Sequence, residues 1–192
     1  MCAGGAKLMA PVSANISDSL LLSKPLPSGL LILYITIMKK ELYLILDNIR
    51  SRENVGSIFR TSDAAGVKKI YLCGITPCPP HPKIEKTSLG AEKYVPWEYY
   101  KDTWRILKKL SADNYQLLAL EQTKKSENIF ILKTNKLKTN KLVLIVGNEV
   151  NGLSPETLKR ADKTVAIPQY GQKESLNVAV AFGIAVYSIL IK

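Results

Sequence analysis

Three short polar segments of this chain combine hydrogen-bonding side chains with glycines. They are residues 48–54, 147–153 and 168–175, and each follows an apolar run and leads into a predicted helix. In a parallel α/β sheet, ligands bind beyond the carboxyl ends of the strands, where such loops emerge. The three segments are therefore the candidate binding site, and glycine-bearing loops would let backbone groups approach a small ligand closely.

The usual phosphate-binding patterns are absent. No G-x-x-x-x-G-K-[ST] or G-x-G-x-x-G sequence follows a predicted strand, which disfavours a nucleoside triphosphate or a dinucleotide. An adenosine-containing cofactor held mainly by backbone groups fits the three loops better.

Histidine and cysteine usage argues against a metal site. His81 is the single histidine and lies in a proline-rich run, which excludes H-E-x-x-H zinc chemistry. Cys2, Cys73 and Cys78 form no C-x-x-C pair, so neither a zinc knuckle nor a disulfide framework is indicated. We expect no metal and a reducing, cytoplasmic location.

The first half of the chain alternates strand and helix patterns. Residues 42–46 are an apolar run typical of a strand buried on both faces. Apolar residues then recur at helical spacing from Asn54, a good N-cap, to Gly66, a residue that commonly ends helices. Residues 67–72 read as the next strand, and the proline-rich residues 74–96 as a long loop.

The second half continues the alternation. A helix is predicted around residues 104–110 and a strand over 116–120, with a short element of uncertain type at 129–132. Further strands are predicted at 142–146 and 165–167, with helices starting at Ser154 and Leu176. Alternating strands and helices predict an α/β fold with a parallel sheet and helices on both faces.

The net charge of the chain indicates its class of partner. Lysine and arginine exceed aspartate and glutamate by 27 to 16, a net charge of +11, which favours binding to nucleic acid as much as simple solubility.

The apolar residues 30–38 near the amino terminus are about half the length of a membrane span, so no membrane span is expected. We predict a loose extension, or a misassigned start, over residues 1–37 and one domain over 38–192.

Three motifs in order resemble those of the SpoU/TrmH family of RNA ribose methyltransferases. They are NVGSIFRT at residues 54–61, IVGNEVNGL at 145–153, and IPQYGQKESLNVAVA at 167–181. The resemblance covers the chain from about residue 40 to its end. One departure is Gln169, where many relatives have methionine after the proline.

The resemblance implies the fold, cofactor and assembly. The expected fold is the SPOUT fold, whose carboxy-terminal part is threaded into a deep trefoil knot, a rare exception to unknotted topology. The family binds S-adenosylmethionine mostly through backbone groups and works as a homodimer with a shared site. By motif position, Gly147, Ile167 and Leu176 would contact the cofactor.

The same resemblance makes Arg60 the catalytic residue, with Asn54, Glu149, Ser175 and Asn177 around it. A planar guanidinium suits bidentate binding of an RNA phosphate next to the target ribose. Arginine normally stays protonated, so our working hypothesis has Arg60 organise the phosphate and hydroxyl.

Each of these residues also has a purely structural interpretation. Arg60 could be a solvated charge, and Asn54 a helix cap. Glu149 could hold its own loop together, and Ser175 and Asn177 could cap the last helix.

The implied function is transfer of a methyl group to a ribose 2′-hydroxyl of tRNA or rRNA, with the choice between them left open. Alternatives are a catalytically inactive RNA-binding dimer and a base-methylating enzyme of the same superfamily. A metabolic α/β enzyme acting on a small anion is a more distant interpretation.

Overall fold

A computed structural model describes residues 40–132, 139–173 and 175–191. The interpretation of residues 1–37 therefore lies outside the described residues. The strands are β1 (Glu41–Asp47), β2 (Lys69–Cys73), β3 (Trp97–Tyr100), β4 (Gln116–Leu120), β5 (Glu127–Asn128), β6 (Lys141–Val146) and β7 (Lys163–Ala166). The helices are α1 (Arg52–Ala65), α2 (Pro82–Ser88), α3 (Thr103–Ala112), α4 (Pro155–Arg160) and α5 (Val178–Leu190). Single 3-10 turns lie at Ala91–Lys93 and Ile129–Ile131.

The strands form one seven-stranded sheet in the order β3-β2-β1-β6-β4-β7-β5. Every adjacent pair is parallel, as the alternating sequence pattern predicted. The centre of the sheet is β6, which pairs with β1 through Leu46 opposite Val146 and with β4 through Leu120 opposite Val146. The carboxyl ends of β1, β6 and β4 therefore lie side by side.

Helices cover both faces of the sheet, which confirms the predicted α/β class. Leu44 and Leu46 of β1 belong to one buried apolar cluster, whereas Ile45 between them belongs to a second. The first cluster includes residues of α1 and α5, and the second includes residues of α3. Successive side chains of a strand point to opposite faces, so each cluster lies on its own face.

The first helix begins earlier than the sequence predicted. Ser51, not Asn54, is the N-cap of α1, and its hydroxyl accepts a hydrogen bond from the Asn54 amide at 3.1 Å. The helix ends where predicted, at Gly66, which has the left-handed φ of 72° and donates to the carbonyls of Asp63 and Ser62. The side chain of Asn54 is thus free to make contacts outside the helix.

The prediction of a long loop over residues 74–96 was wrong in its central part. Pro82 opens α2, where the missing amide of proline costs nothing, and His81 Nδ1 accepts a hydrogen bond from the Lys83 amide at 3.1 Å. This helix packs against α1, and Thr87 Oγ1 donates to the Glu53 carbonyl at 3.1 Å. A Cβ on Gly56 would collide with Thr87 and Ile84, so the close approach of the two helices requires glycine there.

Within the described ranges, no helix is both long enough and apolar enough to cross a lipid bilayer.

Candidate functional site

The loops singled out in the sequence emerge at one edge of the sheet. Residues 48–51 follow β1, residues 147–154 follow β6, and residues 167–173 follow β7. β1 and β6 are neighbours, and only β4 separates β6 from β7. Parallel strands place their carboxyl ends at the same edge, so the three loops face one region.

The Glu149 carboxylate ties the loop after β6 to the start of α1. Its Oε2 accepts a hydrogen bond from the Arg50 amide at 2.9 Å. Its Oε1 accepts from the Ser51 amide and from Asn54 Nδ2, each at 3.0 Å. Glu149 therefore receives its hydrogen bonds across the site, from residues about a hundred positions earlier in the chain.

These contacts keep Glu149 ionised. Burial raises the pKa of its carboxyl, but the hydrogen bonds from the Arg50 and Ser51 amides and from Asn54 outweigh that effect, and the net pKa is lowered. A carboxylate whose lone pairs are occupied in this way is suited to holding donors in place.

Asn54 links that carboxylate to the third motif. Its Oδ1 accepts a hydrogen bond from Asn177 Nδ2 at 3.0 Å, across 123 positions of sequence. Asn177 is the N-cap of α5, and its Oδ1 accepts from the amides of Ala179 and Val180 at 2.9 and 3.3 Å. One side chain from each motif, Glu149, Asn54 and Asn177, thus forms a continuous hydrogen-bonded chain.

The other two polar residues predicted for the site stand apart from this chain. Arg60 is exposed, and among the described residues it makes no hydrogen bond or ion pair. It lies six residues beyond Asn54 on α1, about 9 Å along the helix axis at 1.5 Å per residue. Ser175 is also exposed, without a hydrogen bond to the described part of the chain. Asn177 fulfils the capping role that was considered for both Ser175 and Asn177.

Gly147 is required by the way the loop after β6 folds back. A Cβ at this position would lie 2.7 Å from Gly152 C and from the Leu153 nitrogen. The fold-back is a small antiparallel bridge in which the Gly152 amide donates to the Asn148 carbonyl at 2.9 Å. Only glycine leaves room for the backbone of residues 152–153 over the end of β6.

The two apolar residues predicted to contact a cofactor differ in exposure. Ile167 follows β7 and is buried, with 8% of its surface exposed. Leu176 precedes the N-cap of α5 and is 39% exposed, an apolar side chain in solvent directly beside the polar chain of Asn177 and Asn54. An exposed leucine at this edge suits a site that a partly apolar ligand covers.

Three further residues shape the site: Asn48 and Asn148 lie in the predicted binding segments but were given no role, and Glu121 was not identified from the sequence. Asn148 Nδ2 donates to the Asn48 carbonyl at 2.7 Å, which joins the loops after β1 and β6 a second time. Asn48 has a left-handed φ of 59°, a conformation that asparagine tolerates better than most residues. Glu121, directly after β4, accepts a hydrogen bond from the Leu153 amide at 2.7 Å. Their positions after apolar strands were the available signal.

Across residues 40–132, 139–173 and 175–191, no group of three or more histidine, cysteine, aspartate or glutamate side chains could hold a metal ion.

Comparisons with known proteins agree with the motifs. The family model described as the SpoU rRNA Methylase family matches residues 41–187. The chain is 36% identical to a tRNA (guanosine(18)-2′-O)-methyltransferase of Aquifex aeolicus, over 78% of the chain and 68% of that protein. It is 28% identical to a 23S rRNA (guanosine-2′-O-)-methyltransferase of Escherichia coli, over 80% of the chain and 61% of that protein.

Solved structures give the same picture. The AdoMet-bound rRNA methyltransferase of Sinorhizobium meliloti superposes with a TM-score of 0.72 at 31% identity, over 79% of the chain and 56% of that protein. The matched region therefore spans between 56 and 68% of the length of these three relatives.

Proposed function

We propose, because this chain belongs to the SpoU rRNA methylase family, that it transfers a methyl group from S-adenosylmethionine to a ribose 2′-hydroxyl of tRNA or rRNA. The observation that carries the proposal is the hydrogen-bonded chain of Glu149, Asn54 and Asn177. It brings one side chain from each motif to the edge of the sheet where ligands of parallel α/β proteins bind. Relatives named for this reaction on tRNA and on rRNA support the same conclusion.

The residues at this edge fit an adenosine-containing cofactor. Gly147, Ile167 and Leu176 would hold it, with backbone groups of the glycine-bearing loop and two apolar side chains. The AdoMet-bound relative supports the identity of the cofactor as S-adenosylmethionine. When bound, S-adenosylmethionine supplies a methyl carbon already activated by the sulfonium.

The protein then has to align the ribose oxygen and manage its proton. Positioning alone supplies about 7–11 kcal/mol in well-oriented reactions. Asn54 and Asn177 are hydrogen-bonded to each other, and Asn54 also to Glu149, which favours one orientation of both amides before RNA arrives. Glu149 acts through Asn54 and the start of α1, as a positioning residue.

Arg60 is the group proposed to bind RNA beside the target ribose. Its guanidinium is exposed and engages no other described residue, so it is available to a phosphate. A bidentate contact would orient the phosphate and the neighbouring hydroxyl, and that phosphate would assist the loss of the hydroxyl proton as the methyl group moves to the ribose oxygen. Ser175, exposed between the loop after β7 and α5, would add a hydroxyl at the same edge.

A homodimer would complete this site. Three apolar side chains of α5 and its C-cap are exposed, namely Val180 (52%), Tyr187 (41%) and Ile191 (49%). Their spacing places them on one side of the helix. A second copy packed on this stripe would cover it and bring further residues to Arg60. Light scattering on the purified protein should give twice the mass of the chain, and a monomer that methylates RNA would contradict the dimer.

The trefoil knot belongs to the same proposal. In the sheet, β6 and β4 separate β1 from β7. Asn177 at the start of α5, which follows β7, nevertheless forms a hydrogen bond with Asn54 on α1, which follows β1. The start of α5 therefore lies back on the β1 side of the sheet, as a knotted crossing would require. We also propose a cytoplasmic location, because the named relatives modify tRNA and rRNA.

The proposal is tested by incubating the protein with S-adenosylmethionine carrying a labelled methyl and with total RNA from cells that lack the gene. Digestion to nucleosides should yield a labelled 2′-O-methylnucleoside. Label on a base would favour the base-methylating alternative, and RNA binding without any label would favour the inactive one. Separating tRNA from rRNA before digestion would identify the substrate class.

A further inference from the structure

Glu121 occupies the position between the two loops that would hold the cofactor. It directly follows β4, and β4 lies between β6 and β7 in the sheet. Its backbone amide donates to the Val165 carbonyl of β7 at 3.0 Å. Its side chain turns to the other neighbour, and Oε2 accepts a hydrogen bond from the Leu153 amide at 2.7 Å. One residue thus connects β7 with the loop after β6.

Hydrogen bonds hold both the side chain and the backbone carbonyl of Glu121. Its Oε1 accepts from the Gln122 amide at 2.9 Å, and the Glu121 carbonyl accepts from Ser126 Oγ at 2.7 Å. Ser126 Oγ in turn accepts from the Thr123 amide at 2.9 Å, which closes the turn after β4. A hydrogen-bonded turn therefore supports the residue whose carboxylate accepts from the Leu153 amide.

The loop after β6 is shaped around this carboxylate. Gly152 has a left-handed φ of 64°, and a Cβ there would collide with Glu121 Oε2. The backbone of residues 152–153 also lies so close to Gly147 that a Cβ on Gly147 would touch it. Gly147 leaves room for the backbone of residues 152–153, and Gly152 leaves room for the Glu121 carboxylate. Residues 152–153 therefore pack between the end of β6 and that carboxylate.

We infer that Glu121 is a positioning residue that holds residues 147–153 in the shape that receives the cofactor. The inference rests on the proposed function for its consequence, but the hold on the loop is a property of the ligand-free chain. A charge-assisted hydrogen bond to a backbone amide is roughly twice as strong as a neutral one, so a neutral replacement should weaken the hold.

The experiment compares the wild type with Glu121→Ala, Glu121→Gln and the control Glu127→Ala. Glu127 lies a few residues further on in β5 and makes an ion pair with Lys163, away from residues 147–153. Amide hydrogen exchange of the ligand-free proteins is followed by mass spectrometry on peptides that cover residues 147–153. Calorimetric titration with S-adenosylmethionine and steady-state methylation complete the measurement.

In Glu121→Ala, exchange over residues 147–153 should accelerate about tenfold while peptides of β1 and β6 keep the wild-type rate. The affinity for S-adenosylmethionine should fall about tenfold, equivalent to about 1.4 kcal/mol. The KM for the cofactor should rise with it, and the KM for RNA should stay the same. Glu121→Gln, which retains an acceptor, should lie between, and Glu127→Ala should match the wild type.

Unchanged exchange at residues 147–153 in Glu121→Ala would overturn the inference and leave the proposed function standing. Equal acceleration throughout the sheet would overturn it too, because Glu121 would then support the fold as a whole. A wild type that binds no S-adenosylmethionine would refute the proposed function, and the exchange experiment would still decide whether Glu121 holds the loop.

Discussion

Replacing Asn54 with aspartate would place a second carboxylate against Glu149. Asn54 Nδ2 lies 3.0 Å from Glu149 Oε1, so Asn54→Asp exchanges a donor for a negative charge at nearly constant size. Like charges 4 Å apart repel by about 4 kcal/mol at an effective dielectric constant of 20. Because Glu149 is only half-buried, salt screens the two charges, and the new side chain can also rotate away. Both effects reduce the repulsion to about 2 kcal/mol.

Asn54→Ala provides the comparison without the charge. It removes the bonds to Glu149 and Asn177, worth about 1–2 kcal/mol together, and regains roughly 0.5 kcal/mol because alanine favours helices more than asparagine. The net loss is about 1 kcal/mol. Since 1 kcal/mol moves the Tm of a domain of this size by about 2–4 °C, the aspartate variant should melt about 4–8 °C below the wild type and the alanine variant about 2–4 °C below.

The assay is thermal unfolding at pH 8 and at pH 5. Repulsion from Glu149 raises the pKa of the introduced carboxyl above its unfolded value, so the destabilisation is complete above that raised pKa and is relieved as the pH falls through it. The gap between the two variants should therefore narrow at pH 5. The control Asn128→Asp adds the same charge where Oδ1 only accepts from the Phe130 amide at 2.9 Å, and it should melt like the wild type. Equal Tm values for Asn54→Asp and Asn54→Ala at pH 8 would refute the contact.

Three further outcomes are expected. Arg60→Ala should abolish methyl transfer and leave the affinity for S-adenosylmethionine, measured by calorimetry, nearly intact. The control Arg105→Ala, on the other face of the sheet, should stay active. Normal turnover in Arg60→Ala would remove Arg60 from the mechanism. Gly152→Ala forces a left-handed φ on alanine and a collision with Glu121. Denaturant unfolding should show a loss of about 1–3 kcal/mol in the free energy of unfolding, and cofactor binding should weaken. Wild-type stability and binding would mean that Glu121 does not confine the loop at Gly152. The pKa of Glu149 is lowered in the folded protein, so its contribution to stability is complete above about pH 4.5, the ordinary pKa, and is lost as the pH falls through the lowered pKa. Acid unfolding of Glu149→Gln should lack this loss of stability. Identical acid unfolding profiles of the variant and the wild type would contradict the lowered pKa.

Apolar periodicity was sufficient to predict most elements and the parallel class of the sheet. The strands at residues 42–46, 116–120 and 142–146 agree with β1, β4 and β6 within one residue or so at either end. Each is a short apolar run bounded by polar residues, a pattern that a buried parallel strand produces directly. Nothing in those runs encodes the neighbours of each strand, so the position of β6 between β1 and β4 had to come from the structure.

The errors arose where two local signals competed. Ser51 and Asn54 are both good caps, and the helical spacing of apolar residues begins at Val55, which favoured Asn54. The actual first turn is polar, because Arg52 and Glu53 face solvent and contribute no periodicity. The proline-rich stretch concealed α2 in the same way, because a seven-residue helix that starts with proline leaves almost no periodic pattern.

The candidate site could be predicted by residue but not by contact. Asn54, Glu149 and Asn177 were identified from the motifs, whereas their mutual hydrogen bonds span 95 and 123 positions and follow from no local rule. Glu121 was missed because a single carboxylate after a strand is common and carries no motif. Arg60 and Ser175 were also identified from the motifs, but they are exposed and make no hydrogen bond to these three residues within the described parts of the chain.

The central position of β6 has a consequence for biosynthesis. As the ribosome releases the chain, β1 and β4 emerge with unpaired edges facing a gap, and that gap is filled only when residues 141–146 leave the exit tunnel. Until then each edge offers free amides and carbonyls to other chains. Translation arrested before residue 141 would thus release a product prone to aggregation, and a nascent-chain chaperone would protect it most after β4 has left the exit tunnel and before β6 has left it.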